Sequence, residues 1–483
     1  MRRLALALAL VTTFVVFVAA PSPAEAAEDA WGPSVVVGAP GFNVQLVSVD
    51  DTLIAAWVVS GGTGGEDVSV LASYSTDDGQ TWSSPQSIAS HTQSQIPETP
   101  TLAAVGATVT ALWSAVDSNT SMETVYSTSS TDGGQSWSAV QQLSDSAVYS
   151  FLPQLASDGT RAIATWSTTD DIGQVATALG GGPVWTAPST LTDPTSYSNI
   201  PMLAADAARI GVAWGGLVSG TWRVYFRAST DGGAMWSAPV AISAPQSGVI
   251  FAPQVVIDGD AITVAWIADD DQLWATSSAD GGAGWSTPAA VSDGGATVFL
   301  FHLMGYDDEV AVVWQEGVTT TGVLRFSTFN STAWSDPVGL SDPAMRAAAP
   351  QLISHGDYLV AAWTERSGLL PTAAVRARIS TDAGLTWQSA QDVGFSTHYL
   401  IAPPLASSHD TVTVLGSALP DSVVTSSSFT FAASDSDGDS QLATTGPSDA
   451  MPTGLATVAA ALLVLGAGVL AAGATRRRAG QRE

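Results

Sequence analysis

One tryptophan recurs along this chain at nearly even intervals, each time in the same short phrase. The copies are Trp31, Trp82, Trp137, Trp185, Trp236, Trp285, Trp334 and Trp387, with steps of 48 to 55 residues. Five of them close a near-identical octet: Ser75 to Trp82, Ser130 to Trp137, Ser229 to Trp236, Ser278 to Trp285 and Ser380 to Trp387. A period near fifty residues implies stacked copies of one small unit rather than one irregular fold.

Each unit divides into four strand signals, A to D. In the third, Pro153 to Ser157 opens strand A and Asp158-Gly159 makes a turn. Ala162 to Trp166 is strand B, Gln174 to Ala178 strand C and Pro188 to Leu191 strand D. The short lengths, the alternation and the Gly/Asp/Pro punctuation are those of antiparallel β-structure. Strand B carries a second repeating tryptophan: Trp57, Trp113, Trp166, Trp214, Trp266, Trp314 and Trp363. Rings placed so regularly belong to packing between sheets. The fold expected is all-β: a single β-propeller of four-stranded blades. The A, B and C signals number eight, but only seven D signals follow a C strand. Trp31 to Val37 supplies the missing D strand from the N-terminus. Such a strand completes the last sheet and removes the exposed edges. Eight blades are therefore expected; seven blades and a stray hairpin are the alternative.

The octet resembles the Asp-box, or BNR repeat, S-x-D-x-G-x-[ST]-W. The units at Ser75, Ser130 and Ser380 match it fully, whereas Met235 and Gly284 replace its Ser/Thr in two others. The resemblance covers about Trp31 to Phe431. Physically the octet is a C–D hairpin. Its carboxylate accepts backbone N–H groups and its glycine adopts positive φ. The resemblance implies that Asp77, Asp132, Asp231, Asp280 and Asp382 are structural and face away from the ligand surface.

Function is therefore expected on the other face, formed by D–A and B–C loops. Its D–A aromatics are Tyr149, Phe151, Tyr197, Phe251, Phe299, Phe301 and Tyr399; its bases are Arg346 and Arg366; its acids include Asp269 and Asp270. Functional side chains commonly sit on loops over a rigid scaffold. Glu316 and Glu365 each stand two residues after a B-strand tryptophan, in adjacent units. Two carboxyl groups at one mouth are what glycoside hydrolysis requires, one as acid and one as base or nucleophile. Sialidases are Asp-box propellers, but their pattern has an Arg-Ile-Pro and an arginine triad. This chain has no Arg between Arg3 and Arg161, and Arg161 and Arg209 fall in A–B turns on the opposite face. Sialidase activity is not expected. Cofactors are expected to be none. Asp269-Asp270-Asp271 and Asp435 to Asp439 are the places where calcium could find oxygen ligands, although neither follows the EF-hand pattern.

The two ends carry targeting signals. Residues 1–26 read as a signal peptide, with Arg2 and Arg3, an apolar stretch and Ala24-Glu25-Ala26 as the cleavage site. Residues 27–431 are the propeller and 432–441 an acidic Ser/Asp spacer. Leu442-Ala443-Thr444-Thr445-Gly446 follows, then an uncharged 21-residue stretch at 454–474 and a basic tail at 475–483. That stretch is long enough to span a bilayer, and Arg476 to Arg478 place its end in the cytoplasm. This order resembles the sorting signal of sortase substrates in Gram-positive bacteria, in the L-A-x-T-G form of actinobacteria. It implies sortase as a processing partner, cleavage between Thr445 and Gly446, and covalent attachment to peptidoglycan. A plain single-span membrane protein is the alternative.

Between 27 and 445 there are 41 acidic residues and nine arginines, a net charge of −32, and no lysine. Such a surface repels nucleic acid. Absence of lysine excludes Schiff-base chemistry, and absence of cysteine excludes thiol catalysis. The expectation is an exported, surface-anchored propeller that binds a glycan or a protein. The alternatives are a glycoside hydrolase or lyase for neutral sugars, and a structural wall protein.

Overall fold

The structure, a computed structural model, describes residues 30–431 apart from 60–67, 92–94, 171, 182–183, 193–196, 208, 249, 318–321, 368–371, 398–401 and 419–420. The expected signal peptide, spacer, sorting motif and C-terminal apolar stretch lie outside these residues. Among the described residues every regular element is a strand, and no helix is long and apolar enough to cross a membrane.

The strands form antiparallel meanders in chain order. The first sheet is Phe42–Val49, Thr52–Val59, Val68–Ser75 and Gln86–His91. In the second, a broken A strand (Gln95–Pro97, Thr101–Val105) precedes Thr108–Asp117, Met122–Ser130 and Gln141–Gln142. The third contains Tyr149–Ser157, Ala162–Asp170 and Ile172–Gly181, edged by Val184–Trp185 and Ser189–Thr190. The fourth is Tyr197–Asp206, Arg209–Val218, Thr221–Ser229 and Val240–Ala241. The fifth is Phe251–Asp258, Ala261–Ile267, Leu273–Ser278 and Ala289–Ala290. The sixth is Val298–Tyr306, Glu309–Glu316, Val323–Phe329 and Val338–Gly339. Then come Arg346–His355, Tyr358–Arg366, Ala373–Ser380 and Gln391–Thr397, which a single pairing of Thr397 with Ala418 joins to the last group. That group is Leu405–Ser408, Thr411–Ala418, Val423–Thr430 and, from the far end of the chain, Val35–Pro40.

The A strands touch one another in a closed circle: each meets the A strand of the next sheet, and Leu405–Ser408 meets Phe42–Val49. The apolar core is divided accordingly, one cluster between each pair of consecutive sheets. Ile54, Val70, Leu102 and Trp113 fill one interface; Met304, Phe326, Leu359 and Trp363 fill another. Both repeating tryptophans of a unit face the sheet before it, the B-strand ring buried and the D-strand ring half-buried. The molecule is a β-propeller.

The N-terminal strand is built into this scheme. Val37 joins Val44, Trp57, Leu415 and Val424 in the cluster between the last sheet and the first. Trp31 packs on the opposite side of the last sheet, against Phe429, 5.8 Å between ring centroids. The strand lies so close that a Cβ on Gly38 or Gly41 would collide with the Trp57 ring. Glycine at these places is thus a condition of closure.

The A strands begin earlier than the sequence suggests. Prolines such as Pro153 and Pro350 do not start them; they sit at a bulge, where the register shifts between Phe151 and Gln154 and between Ala348 and Gln351. Proline has no N–H for the ladder, so the strand bends there and resumes beyond it. Tyr149, Phe151, Tyr197, Phe251, Phe299 and Phe301, expected in loops, therefore belong to A strands.

Two substitutions test this packing. Trp57→Ala removes a side chain with no exposed surface and is expected to cost about 3–5 kcal/mol in equilibrium denaturation. Gly41→Ala should also destabilise, by steric conflict with the same ring, whereas Gly106→Ala meets nothing within 4 Å; its only conflict is a positive φ.

Candidate functional site

The Asp-box turns are rigid and local. Asp77 Oδ1 accepts from Ser75 Oγ at 2.8 Å and from the Thr81 amide at 2.8 Å, while the Gly79 amide donates to Ser75 Oγ at 2.9 Å. The same geometry recurs at Asp132, Asp231, Asp280 and Asp382. Hydrogen bonds from Ser136 and Thr386 hold the Asp132 and Asp382 carboxyls below the usual carboxylate range. The serine after the tryptophan completes the hairpin: the Tyr74 amide donates to Ser83 Oγ, the Ser129 amide to Ser138 Oγ and the Thr328 amide to Ser335 Oγ. The last case keeps the hairpin where the Asp-box has otherwise decayed.

These turns and the A–B turns share one side of the ring. There Arg161 pairs with Asp158 at 3.1 Å and donates to the Gly232 carbonyl at 3.0 Å; Arg209 pairs with Asp260 and donates to the Gly281 carbonyl at 3.2 Å. Each arginine ties an A–B turn to the Asp-box of the following sheet.

On the opposite side, Glu316 and Glu365 are buried and already engaged. Glu316 accepts from Trp314 Nε1 at 2.9 Å and meets Arg325 Nε at 3.2 Å. Glu365 accepts from Trp363 Nε1 at 3.1 Å and meets Arg376 Nε at 3.1 Å. Each arginine is the cross-strand partner of the tryptophan. The spacing that drew attention to these acids places each one beside its own tryptophan, as an acceptor for the indole N–H. Arg346 and Arg366 face each other across one pair of strands, and burial followed by the charge of Arg366 lowers the Arg346 pKa. Asp269 is exposed and accepts the Ser247 amide and hydroxyl, both at 2.8 Å. Asp270 is exposed and accepts from Trp274 Nε1 at 3.2 Å. Phe299 is 37% exposed on this side. Tyr197 and Phe251 lie at the starts of their A strands; Tyr399 lies outside the described residues. Among the described residues no three His, Asp or Glu side chains gather as a metal site.

One group on this side was not read from the sequence. Glu123, at the start of its C strand, is 6% exposed and accepts from Ser114 Oγ at 2.5 Å. Its strand packs against the A strand of the next sheet, and its charge interacts with the Tyr149 hydroxyl there. Burial, opposed by the Ser114 hydrogen bond and the nearby Tyr149 hydroxyl and reinforced by the charge of Glu98, pushes the Glu123 pKa up to about 7. Burial raises the Glu98 carboxyl as well, although the residue keeps an exposed surface, and its amide donates to the Ser114 carbonyl at 2.8 Å. Burial and the charge of Glu123 raise the Tyr149 hydroxyl. The tyrosine ring rests on Phe151, 5.3 Å between centroids. A carboxyl poised near neutrality beside a second carboxyl and a phenol can donate a proton, accept one, or bind hydroxyl groups.

Alignment of the units shows how this site stands out. Glu123 lies three residues before the cross-strand partner of the B-strand tryptophan; the same place holds Val68, Trp222 and Ala373 in other sheets. The fifth sheet has Asp271 at this place, but exposed, so what distinguishes Glu123 is that its carboxylate is buried.

The BNR repeat-like domain matches residues 51–156, a span that includes Glu98, Glu123 and Tyr149. No curated protein matches the chain. Similar solved structures include the NanB sialidase of Streptococcus pneumoniae, 12% identical with a TM-score of 0.37, covering 69% of this chain and 66% of that one. The phage phi92 endosialidase is 12% identical with a TM-score of 0.42, covering 86% of this chain and 71% of that one. The α-L-arabinofuranosidase of Fusarium graminearum is 15% identical with a TM-score of 0.33, covering 58% and 91%. The chain thus spans just under two thirds of the pneumococcal enzyme.

Glu123→Gln provides a test of the raised carboxyl. The folded pKa of about 7 exceeds the ordinary 4.5, so the native state holds the proton more tightly than the unfolded chain. This contribution is fully present below pH ~4.5 and is lost as pH rises to about 7, on the order of 3 kcal/mol. The glutamine variant should lose less stability over that interval, as measured by denaturant unfolding at pH 5 and pH 8.

Proposed function

We propose that this protein is a surface-displayed β-propeller that binds carbohydrate on the face bearing Glu98, Glu123 and Tyr149. The observation that carries this reading is the buried Glu123 carboxyl, which accepts from Ser114 Oγ and lies within electrostatic reach of Tyr149 and an exposed Glu98. Together they present donors and acceptors suited to sugar hydroxyls, next to an aromatic pair formed by Tyr149 and Phe151. Net negative charge over the chain favours neutral over anionic sugars.

Hydrolysis of neutral glycosides is a second reading, favoured by the Glu123 pKa of about 7. In it Glu123 protonates the leaving oxygen and Glu98 acts as the second carboxylate. Glu316 and Glu365 are assigned a supporting role, because each already accepts from a tryptophan and meets an arginine.

Eight blades, with the N-terminal strand as the outer strand of the last, are part of this proposal. Support comes from the pairing of Val35–Pro40 with Val423–Thr430 and from the closed circle of A strands. Sortase-mediated attachment to the wall through Thr445 is also proposed, on the order of signal, pentapeptide, apolar stretch and basic tail. The spacer 432–441 reaches roughly 35 Å when extended, so the disc would sit close against the wall.

A glycan array and a panel of chromogenic neutral glycosides test the site. Binding is expected to fall at least tenfold in Glu123→Gln and Tyr149→Phe, with the fold retained. Turnover abolished by Glu123→Gln selects the hydrolase; binding without turnover selects the lectin-like reading. Absence of both refutes the carbohydrate proposal. Glu316→Gln should instead lower stability by about 1–3 kcal/mol, leaving binding by the folded fraction intact. For the anchor, mass spectrometry of wall digests should find a peptide ending at Thr445; an intact C-terminus in membranes would refute sorting.

A further inference from the structure

The ring closes where the last sheet meets the first, and one histidine sits across that seam. His409 occupies the A–B turn of the last sheet. Its Nδ1 lies 2.8 Å from Asp78 Oδ1, in the first Asp-box, and its Nε2 lies 3.1 Å from Asp51 Oδ1, in the first A–B turn. Both ring nitrogens thus meet carboxylates of the first sheet. A neutral imidazole carries a single N–H and serves only one such acceptor as a donor; the imidazolium serves both.

At two other junctions the corresponding contact is made by arginine. Arg161 and Arg209 reach from their A–B turns to the carbonyls of Gly232 and Gly281 in the next Asp-box. Arginine keeps its charge at every relevant pH, whereas histidine changes charge between pH 5 and 8. At the seam a titratable group thus makes the turn-to-turn contact that a permanent cation makes at those two junctions. We propose that His409 is a proton-operated latch that fastens the last sheet to the first as the imidazolium and loosens it when neutral.

The surrounding charges favour the protonated state. Asp78 and Asp51 face the ring from the first sheet, Asp410 follows it in its own turn, and Asp50 precedes Asp51. Asp77 directs its carboxylate into its own turn, onto Thr81. The hydrogen bond and charge of Asp78, with Asp51 and Asp410, raise the His409 pKa above its usual 6.5. The stabilisation is therefore complete below about pH 6.5 and fades as pH rises through the higher folded value. Other contacts across the seam do not titrate in this range: Trp82 Nε1 donates to Ser426 Oγ at 3.0 Å and Ser428 Oγ to the Asp78 carbonyl at 3.0 Å. The latch consequently modulates the seam rather than forming it.

Parting the seam has a defined mechanical result. Val35–Pro40 belongs to the last sheet yet continues through Gly41 into Phe42–Val49 of the first. Separation of the two sheets must peel this strand from Val423–Thr430.

Amide hydrogen exchange of the full chain, corrected for intrinsic rate, tests this at pH 6 and pH 8. Residues 35–40 and 423–430 are expected to exchange severalfold faster at pH 8, while Arg209–Val218 does not change. In His409→Arg the pH dependence at 35–40 should disappear. An equal response in both proteins, or a flat response in wild type, overturns the proposal. Independently, NMR titration of the His409 imidazole in the wild-type chain should give a pKa above 6.5; a value at or below 6.5 also overturns it.

Discussion

The structure depends on face-to-face packing of sheets that share no A-strand ladder with one another. A four-stranded meander has two faces and two edges, and a single copy cannot bury its apolar side chains. Here every sheet but the last presents a buried B-strand tryptophan and a half-buried D-strand tryptophan to the sheet before it, and the last presents Trp31 alone. Large rings suit that task, since they supply area at a spacing near that of stacked sheets. The arrangement is self-consistent only when the first interface is also the last. The strand Val35–Pro40 meets that requirement by pairing with Val423–Thr430 while Val37 enters the closing cluster.

This constraint assigns different work to the two sides of the disc. One side is occupied by hairpins that satisfy themselves: Asp-box carboxylates bind their own amides, and Arg161, Arg209 and His409 fasten three of the A–B turns to the next sheet. The other side contains the bulged starts of the A strands and the ends of the B strands. There the repeat is least strict, and residues from neighbouring sheets meet. Glu123 and Tyr149 meet in this way. A carboxyl buried with a phenol and a serine hydroxyl carries a desolvation cost that packing alone gives no reason to accept. The two conspicuous acids, Glu316 and Glu365, show the opposite case: burial is offset by an indole N–H and a guanidinium.

Much of the fold was legible because period, turn chemistry and alternation are local properties. The Asp-box hairpins, the B-strand tryptophans and the N-terminal strand all lie where spacing puts them. The A-strand starts are not legible in the same way, because a proline at a strand signal marks either a beginning or a bulge. In the folded chain it marks a bulge inside a longer strand. Glu316 and Glu365 stand out by their distance from a tryptophan, and that same distance makes them its hydrogen-bond acceptors.

The unit, its repetition and the side that carries the rigid turns follow from the residue pattern, because each rests on contacts within about fifty residues. Which polar groups meet across unit boundaries is set by how the sheets pack. Glu123 finds Tyr149 in the next sheet, and His409 finds Asp51 and Asp78 at the other end of the chain. Those encounters depend on the register and tilt of packed sheets, and their electrostatics depend on burial. Neither quantity is written in the spacing of residues along one strand.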